Sequence, residues 1–315
     1  MFQKTLLFLS FFLCFHLAWA QEQEADSTLL PRPEIINPED TITYWKNGGN
    51  FNLNIQQVGL TNWAAGGSSS LAIGGIVEGF TNYEREEVVW ENKLKIGYGI
   101  IRNGDNSNRF EKTDDAVILN SKYSQKMSQE ILMTATINFR TQMDEGVKLE
   151  TVSGQSEKRR VLISDFMAPG YLQASLGLTY KPTDWGLTAT LAPFAGRFTF
   201  VLNDSLATAG SFGVAAGERI RSEAGISLIG SFKKTLMKNV EFETNYNFFS
   251  NYEKFPNTVV NVEASLNLKV NDFIQSKINT QLIYDDDVKV TRSDGTRGRD
   301  IQLKNVITVG FILKF

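Results

Sequence analysis

Cysteine and histidine are nearly missing from this 315-residue chain: Cys14 and His16 are the single examples, and both fall in the first twenty residues. Without that segment the chain can form no disulfide and carry no thiol chemistry. It also cannot build a Ser-His-acid triad, a histidine metal site or a histidine proton relay. Proline is scarce, at seven residues. Beyond residue 20 no run approaches the ~18 consecutive apolar residues of a helical span. Net charge is small as well, −3 overall and −4 once Lys4 is removed. That excludes the broad basic field of a nucleic-acid surface, so no nucleic-acid partner is expected.

The first twenty residues have a separate purpose. Lys4 is followed by an almost unbroken apolar run from Leu6 to Trp19, and Ala18-Trp19-Ala20 puts small residues at −3 and −1 before Gln21. This is the pattern of a cleaved secretory signal, with cleavage after Ala20. The run is shorter than the ~20 residues of a membrane anchor, and no small-residue lipobox leads into Cys14. Residues 21–48 are polar and acidic and hold Pro31, Pro33 and Pro38. They read as a periplasmic lead-in or a short plug.

What the rest of the chain has is a period of two. Ile131, Met133, Ala135, Ile137 and Phe139 share one face, against Thr134, Thr136, Asn138 and Arg140. Leu172, Ala174, Leu176, Leu178 and Tyr180 repeat the pattern, as do Val262, Ala264, Leu266, Leu268 and Val270. Side chains alternate faces along a strand, so these segments are strands with one apolar and one polar face.

A soluble β-sandwich alternates too, but its strands centre on about five or six residues, and a tilted membrane-spanning strand needs about 9–11. The strands expected here cover 50–59, 69–83, 88–102, 115–125, 129–143, 170–181, 185–202, 218–232, 239–251, 258–270, 273–287 and 300–315. Short connections such as Lys126–Ser128 and Asn271–Asp272 alternate with long polar ones: Asn103–Asp114, Asp144–Pro169, Asn203–Gly217 and Val288–Gly298. Short periplasmic turns and long external loops are the outer-membrane pattern. The fold expected is therefore all-β: a closed antiparallel transmembrane barrel of twelve strands over residues 49–315, with both ends of the barrel chain on the periplasmic side. Closure is required because an open edge in lipid leaves backbone groups without partners. Pro193 lacks a ladder donor and the alternation slips after Ala195, so the seventh strand is expected to carry a bulge.

The C-terminus carries the sharpest pattern. Ile307, Val309, Phe311, Leu313 and Phe315 fall on one face, as a lipid-facing last strand requires. Val309, Phe311, Leu313 and Phe315 also have the form of a terminal signal for the outer-membrane assembly machinery, an expected partner alongside outer-membrane lipid.

Four segments carry a family resemblance: QVGLTNWAAGGSSS from Gln57, ENKLKIGYGI from Glu91, RFEKTDD from Arg109 and INFRTQ from Ile137. Together they resemble the Bacteroidota β-barrel family of unknown function numbered 3078, over the front half of the barrel, and the resemblance is expected to run its whole length. The resemblance implies an outer-membrane location in a Bacteroidota species and brings no catalytic assignment.

The candidate site is the inner wall and rim. Trp63, flanked by Gly66 and Gly67, can fold over the rim or into the mouth. These glycines are no phosphate cradle, since no Walker lysine follows. A tight turn at Glu84–Glu87 puts Glu78 opposite Lys93, and Glu241 and Glu243 approach the level of Lys269. Lys95, Lys122, Arg140, Lys277 and Lys304 add positive groups on inward faces. Such mixed charge fills a lumen with salt bridges or lines a polar pore. Asp285, Asp286 and Asp287, with Asp294, are weak candidates for calcium, because EF-hand spacing is absent. No cofactor is expected. The functional reading is a structural or accessory subunit of a cell-envelope complex with a largely occluded lumen, meeting other envelope proteins through its external loops. The alternatives are a small polar solute channel and, further off, an enzyme without histidine chemistry.

Overall fold

The computed structural model describes residues 43–58, 70–103, 110–151, 158–291 and 296–314. The expected signal segment 1–20, most of the lead-in, Trp63, Gly66, Gly67, Asp294 and Phe315 lie outside the described residues.

Twelve strands close into one antiparallel barrel. In chain order they are β1 (Trp45–Val58), β2 (Ser70–Arg85), β3 (Val88–Asn103), β4 (Glu111–Lys126) and β5 (Ile131–Thr141), then, after a short hairpin of β6 (Gly146–Thr151) and β7 (Lys158–Ser164), β8 (Gly170–Tyr180) and β9 (Leu187–Phe200). A short helix α1 (Asp204–Thr208) precedes β10 (Ile220–Met237), β11 (Val240–Asn251), β12 (Thr258–Lys269) and β13 (Ile274–Asp285). The small pair β14 (Val290–Thr291) and β15 (Arg297–Gly298) comes before the last barrel strand, β16 (Gln302–Lys314). Each barrel strand pairs with its neighbours around the ring, and β16 pairs with β1 to close it.

The strand boundaries follow the alternation closely, with four additions. β1 begins at Trp45 because Gly48 and Gly49 already pair with Phe80 and Gly79, so the last residues of the expected lead-in belong to the wall. The hairpin β6–β7, helix α1 and the small pair β14–β15 stand in segments read as plain loops. Cap chemistry builds the helix: the Asn203 side chain accepts from the backbone N–H groups of Ser205 and Leu206 at 3.1 and 3.3 Å, capping α1.

The barrel is inverted relative to a soluble domain. Met133, Ile137, Leu176, Leu178, Leu191, Ile307, Val309 and Phe311 all project outward and are exposed, Ile307 at 73%. In water each such side chain forfeits roughly 1.5–3 kcal/mol of burial, whereas hydrocarbon accepts it. At the short-turn end Trp45, Tyr83 and Trp90 form an outward aromatic cluster, with ring centroids 5.1 and 6.0 Å from Trp45. Arg85 lies over the Tyr44 ring at 5.1 Å beside it. An aromatic group at that level marks the polar–apolar boundary of a bilayer. This is an outer-membrane β-barrel fold.

The compact apolar cluster sits outside the membrane band. Ala168, Val201, Leu206, Ala207 and Val214 are buried together, with Leu162 and Phe212 against them. It joins the two long segments after β5 and β9, helped by the hydrogen bond from the Asn203 amide to Asp165 at 2.9 Å. The loops at this end therefore form a packed cap.

Candidate functional site in the barrel lumen

The inner wall is built from the polar parity of each strand. At mid-barrel Lys95 of β3 lies 4.0 Å from Glu78 of β2 and 3.6 Å from Glu263 of β12. Around the ring β2, β1, β16 and β13 separate β3 from β12, so the second contact crosses the lumen. Both carboxylates are held from behind: Asn50 donates to Glu78 at 3.2 Å and Asn279 to Glu263 at 2.8 Å. A cation between two anchored carboxylates is retained, because confinement raises the cost of leaving any of the three alone.

Nearer the long-loop end a second group fills the section. Arg197 of β9 meets Asp285 of β13 at 2.8 Å and Glu223 of β10 at 3.6 Å. Arg221 adds contacts to Glu223 at 3.1 Å and to Asp287 at 3.4 Å. Arg197, Glu223 and Asp285 are buried. Asn251 donates to Glu223 at 3.0 Å, and the Arg197 guanidinium stacks on Tyr171 at 5.4 Å. Arg221 also donates to the Gly213 carbonyl at 3.2 Å, tying the cap segment to the wall. On another chord Lys304 of β16 reaches Asp114 of β4 at 2.6 Å.

The two sides of the lumen differ in wetness. Along β4, β5, β8 and β9, Ser124, Thr134, Thr179 and Thr190 form a hydroxyl ladder with steps of 3.0, 2.7 and 2.6 Å, and all four are buried. Gln173 of β8 and Asn247 of β11 exchange two amide hydrogen bonds, at 3.3 and 3.1 Å. By contrast, the inner faces of β1, β2 and β16 stay accessible, with Phe80, Gln302 and Lys304 exposed.

Two expected pairings need correction. Glu78, Lys95, Arg140 and Lys277 lie on the inner face, as does Lys122, 3.7 Å from Glu91. Glu78, however, is opposite Lys95, and Lys93 faces Phe80. The strands run on to Arg85 and Val88, so the register pivots about Glu86–Glu87, where Glu86 takes φ +50°. Glu241 and Glu243 stand opposite Asn267 and Ser265, not beside Lys269. Lys269 is level with the β10–β11 turn, its N–H donating to the Asn239 carbonyl at 2.9 Å, and its side chain turns to Asp272 at 2.6 Å. Glu241 pairs with Lys233 at 2.9 Å instead.

The three consecutive aspartates diverge. Asp285 takes Arg197, Asp287 takes Arg221 and Lys254, and Asp286 accepts from the Thr258 N–H and the Tyr284 hydroxyl, each at 2.8 Å. They do not converge on one point, and among the described residues no group of three or more His, Cys, Asp or Glu could hold a metal. At the C-terminus Val309, Phe311 and Leu313 project outward and are strongly exposed.

The Arg197–Arg221–Glu223 group is absent from the sequence reading. For Arg197 the bulge explains why. Leu176 and Leu178 pair with Phe194 and Leu191, so one extra residue around Pro193 exchanges the faces of β9 beyond it. Thr190 and Ala192 face inward before the bulge; Ala195, Arg197 and Thr199 do so after it. The expected slip at Ala195 was the one available signal.

No curated protein sequence matches the chain. Among solved structures it is similar to the COG4313 outer membrane channel from Pseudomonas putida F1, with 8% identity, 89% of this chain and 100% of that chain covered, and a TM-score of 0.39. The translocator domain of the autotransporter NalP from Neisseria meningitidis gives 9% identity, coverage of 88% and 90%, and a TM-score of 0.38. Residues 55–146, which span the four motif segments, match the model of a family described as protein of unknown function (DUF3078).

Proposed function

We propose that this protein is a non-enzymatic outer-membrane barrel, closed along its axis, that serves as a structural or accessory subunit of a cell-envelope complex. The Lys95 bridge between Glu78 and Glu263 carries this reading, because it spans the lumen at mid-height with both carboxylates anchored. In this reading the signal is removed after Ala20, both ends of the barrel chain face the periplasm, and the last strand is handed to the assembly machinery. The ordered cap over β9 and β10 and the hairpin β6–β7 then present the surface that meets other envelope proteins.

Planar-bilayer recording of the purified protein tests it. The parent is expected to be silent, and Lys95→Ala combined with Arg197→Ala to show openings. Stable, large single-channel conductance in the parent overturns the reading. A small polar solute channel is the second reading, favoured by the accessible inner faces of β1, β2 and β16.

A further inference from the structure

Partners across an antiparallel ladder share a face, so the outer surface of β1–β4 is laid out in rows. Trp45, Tyr83, Trp90 and Tyr123 are successive partners across these four strands and form one aromatic row. The row ends there, because the next partners are Ala135 of β5 and Leu176 of β8. The rings therefore gather on one sector of the wall. On the turn side the following row is Arg85, Val88 and Gln125, with Glu86 and Glu87 in the turn itself. Rings and turn residues border a recess of about 680 Å³ on the outside of the barrel.

On the membrane side the rows change character. Asn47, Thr81, Asn92 and Ser121 are successive partners two residues further in. They are linked: the Thr81 hydroxyl donates to Asn47 at 2.6 Å, the Ser121 hydroxyl to Asn92 at 2.7 Å, and the Trp90 indole N–H to Ser121 at 3.0 Å. Polar side chains on a lipid-facing wall carry a desolvation cost, which a polar ligand group lying against them would offset. Beyond them comes the row Gly49, Gly79, Leu94 and Leu119, and a Cβ on Gly79 would meet nothing within 4 Å. The glycine pair is thus a shallow groove beside the exposed Leu94 and Leu119.

We propose that this sector is a binding site for one phospholipid with a zwitterionic, ammonium-bearing head, taken from the leaflet at the short-turn end. The acyl chain lies along the glycine groove and the esters against the Asn47–Ser121 row, whose asparagines bring amide donors. The phosphate meets Arg85, and the ammonium sits between the rings and the carboxylates of Glu86 and Glu87. Charge selects this head. Glu84 is paired with Lys126 at 3.4 Å and Glu91 with Lys122 at 3.7 Å, so the charges bordering the recess are Arg85 against Glu86 and Glu87. One cation and two anions complement a phosphate with an ammonium and repel a head of net negative charge. Aromatic faces attract an ammonium as well, as the Tyr44 ring already attracts the Arg85 guanidinium. An exposed aromatic patch also suits a protein partner. The order along the strands, from apolar to polar to aromatic to charged, is that of a lipid from chain to head, and it favours the lipid. The site is on the outer surface of the wall and does not depend on whether the axis is closed.

The test counts lipids on the full barrel by native mass spectrometry. The protein is purified in mild detergent, stripped of lipid and titrated with dioleoyl phosphatidylethanolamine or dioleoyl phosphatidylglycerol. One phosphatidylethanolamine is expected to bind at least tenfold more tightly than any phosphatidylglycerol. Arg85→Gln, and Glu86→Gln combined with Glu87→Gln, should each weaken it about tenfold. Trp185→Ala, which removes an exposed ring at the β8–β9 turn outside this sector, should leave it unchanged. A benzophenone side chain at Gln125, on the rim of the recess, should capture tritiated phosphatidylethanolamine; this arm and the comparison of the two lipids in the parent decide the matter even if a variant fails to fold. Equal affinity for the two lipids, or as large a loss with Trp185→Ala as with Arg85→Gln, would show a general interfacial belt and overturn the proposal. Capture of residues 21–42, of a second copy of the chain or of another protein in place of the lipid overturns it too.

Discussion

Arg197 and Asp285 meet at 2.8 Å across the lumen, 88 residues apart in sequence, and both are buried. β10, β11 and β12 separate their strands around the ring, so the pair is a strut and not a rung of the sheet.

Removing one end of that strut should cost far more than removing both. Arg197→Leu leaves Asp285 only the longer contact to Arg221 at 4.0 Å, and breaking a buried pair from one side costs about 3–5 kcal/mol. Arg197→Leu with Asp285→Leu should recover a large part of the loss. Urea unfolding followed by tryptophan fluorescence and by heat-modifiable gel mobility measures it. Two single variants as stable as the parent would show that the strut carries no load.

The last strand should be needed for insertion. Phe311 is 64% exposed on the outward face, and Phe311→Asp exchanges roughly 1.5–3 kcal/mol of apolar transfer for a charge in the lipid-facing band. Truncation of Phe315 removes the terminal aromatic. Both variants are expected to accumulate in the periplasm without inserting. Folded, surface-accessible barrel at parental yield for both would refute the assignment.

The bulge in β9 should tolerate nothing larger than glycine opposite it. Gly177 lies across from the irregular stretch, and a Cβ there would collide with the Leu191 carbonyl and the Ala192 backbone. Gly177→Ala is expected to destabilise the barrel by about 1–3 kcal/mol, as overpacking does, and to weaken the Arg197 strut with it. Substitution without a shift in the urea midpoint would show that the bulge moves freely.

Asp286 should make the β13 loop acid-sensitive. The Thr258 N–H is the largest cause holding its carboxyl below the usual carboxylate value, followed among the lowering interactions by the Tyr284 hydroxyl and Arg299. A carboxyl lowered on folding stabilises the folded form above its unfolded pKa, about 3.9, and that contribution fades as pH falls through the lower folded value. Hydrogen-exchange protection of the Thr258 amide should therefore be flat from neutral pH to about 5 and decline in the acid range below 4. Asp286→Asn should abolish most of that acid dependence. An unchanged acid profile in the variant rejects the role.

Alternation of apolar and polar residues was enough to determine the number of strands, their approximate limits and the lipid-facing side, because each residue step along a strand reverses the face and a barrel has only two. Ile131 to Phe139 and Ile307 to Leu313 show this directly: their outward faces are visible in the sequence and outward in the structure. Partners across the lumen were decided elsewhere. Glu78 reaches Lys95 instead of Lys93 because two turn residues set the pivot, and Arg197 points inward because a bulge around Pro193 reverses the parity of β9. The cross-lumen contacts of Lys95 with Glu263 and Arg197 with Asp285 depend on ring closure, which brings together strands with no ladder between them. Local periodicity contains no term for that closure, so only the tertiary structure could choose which charges meet.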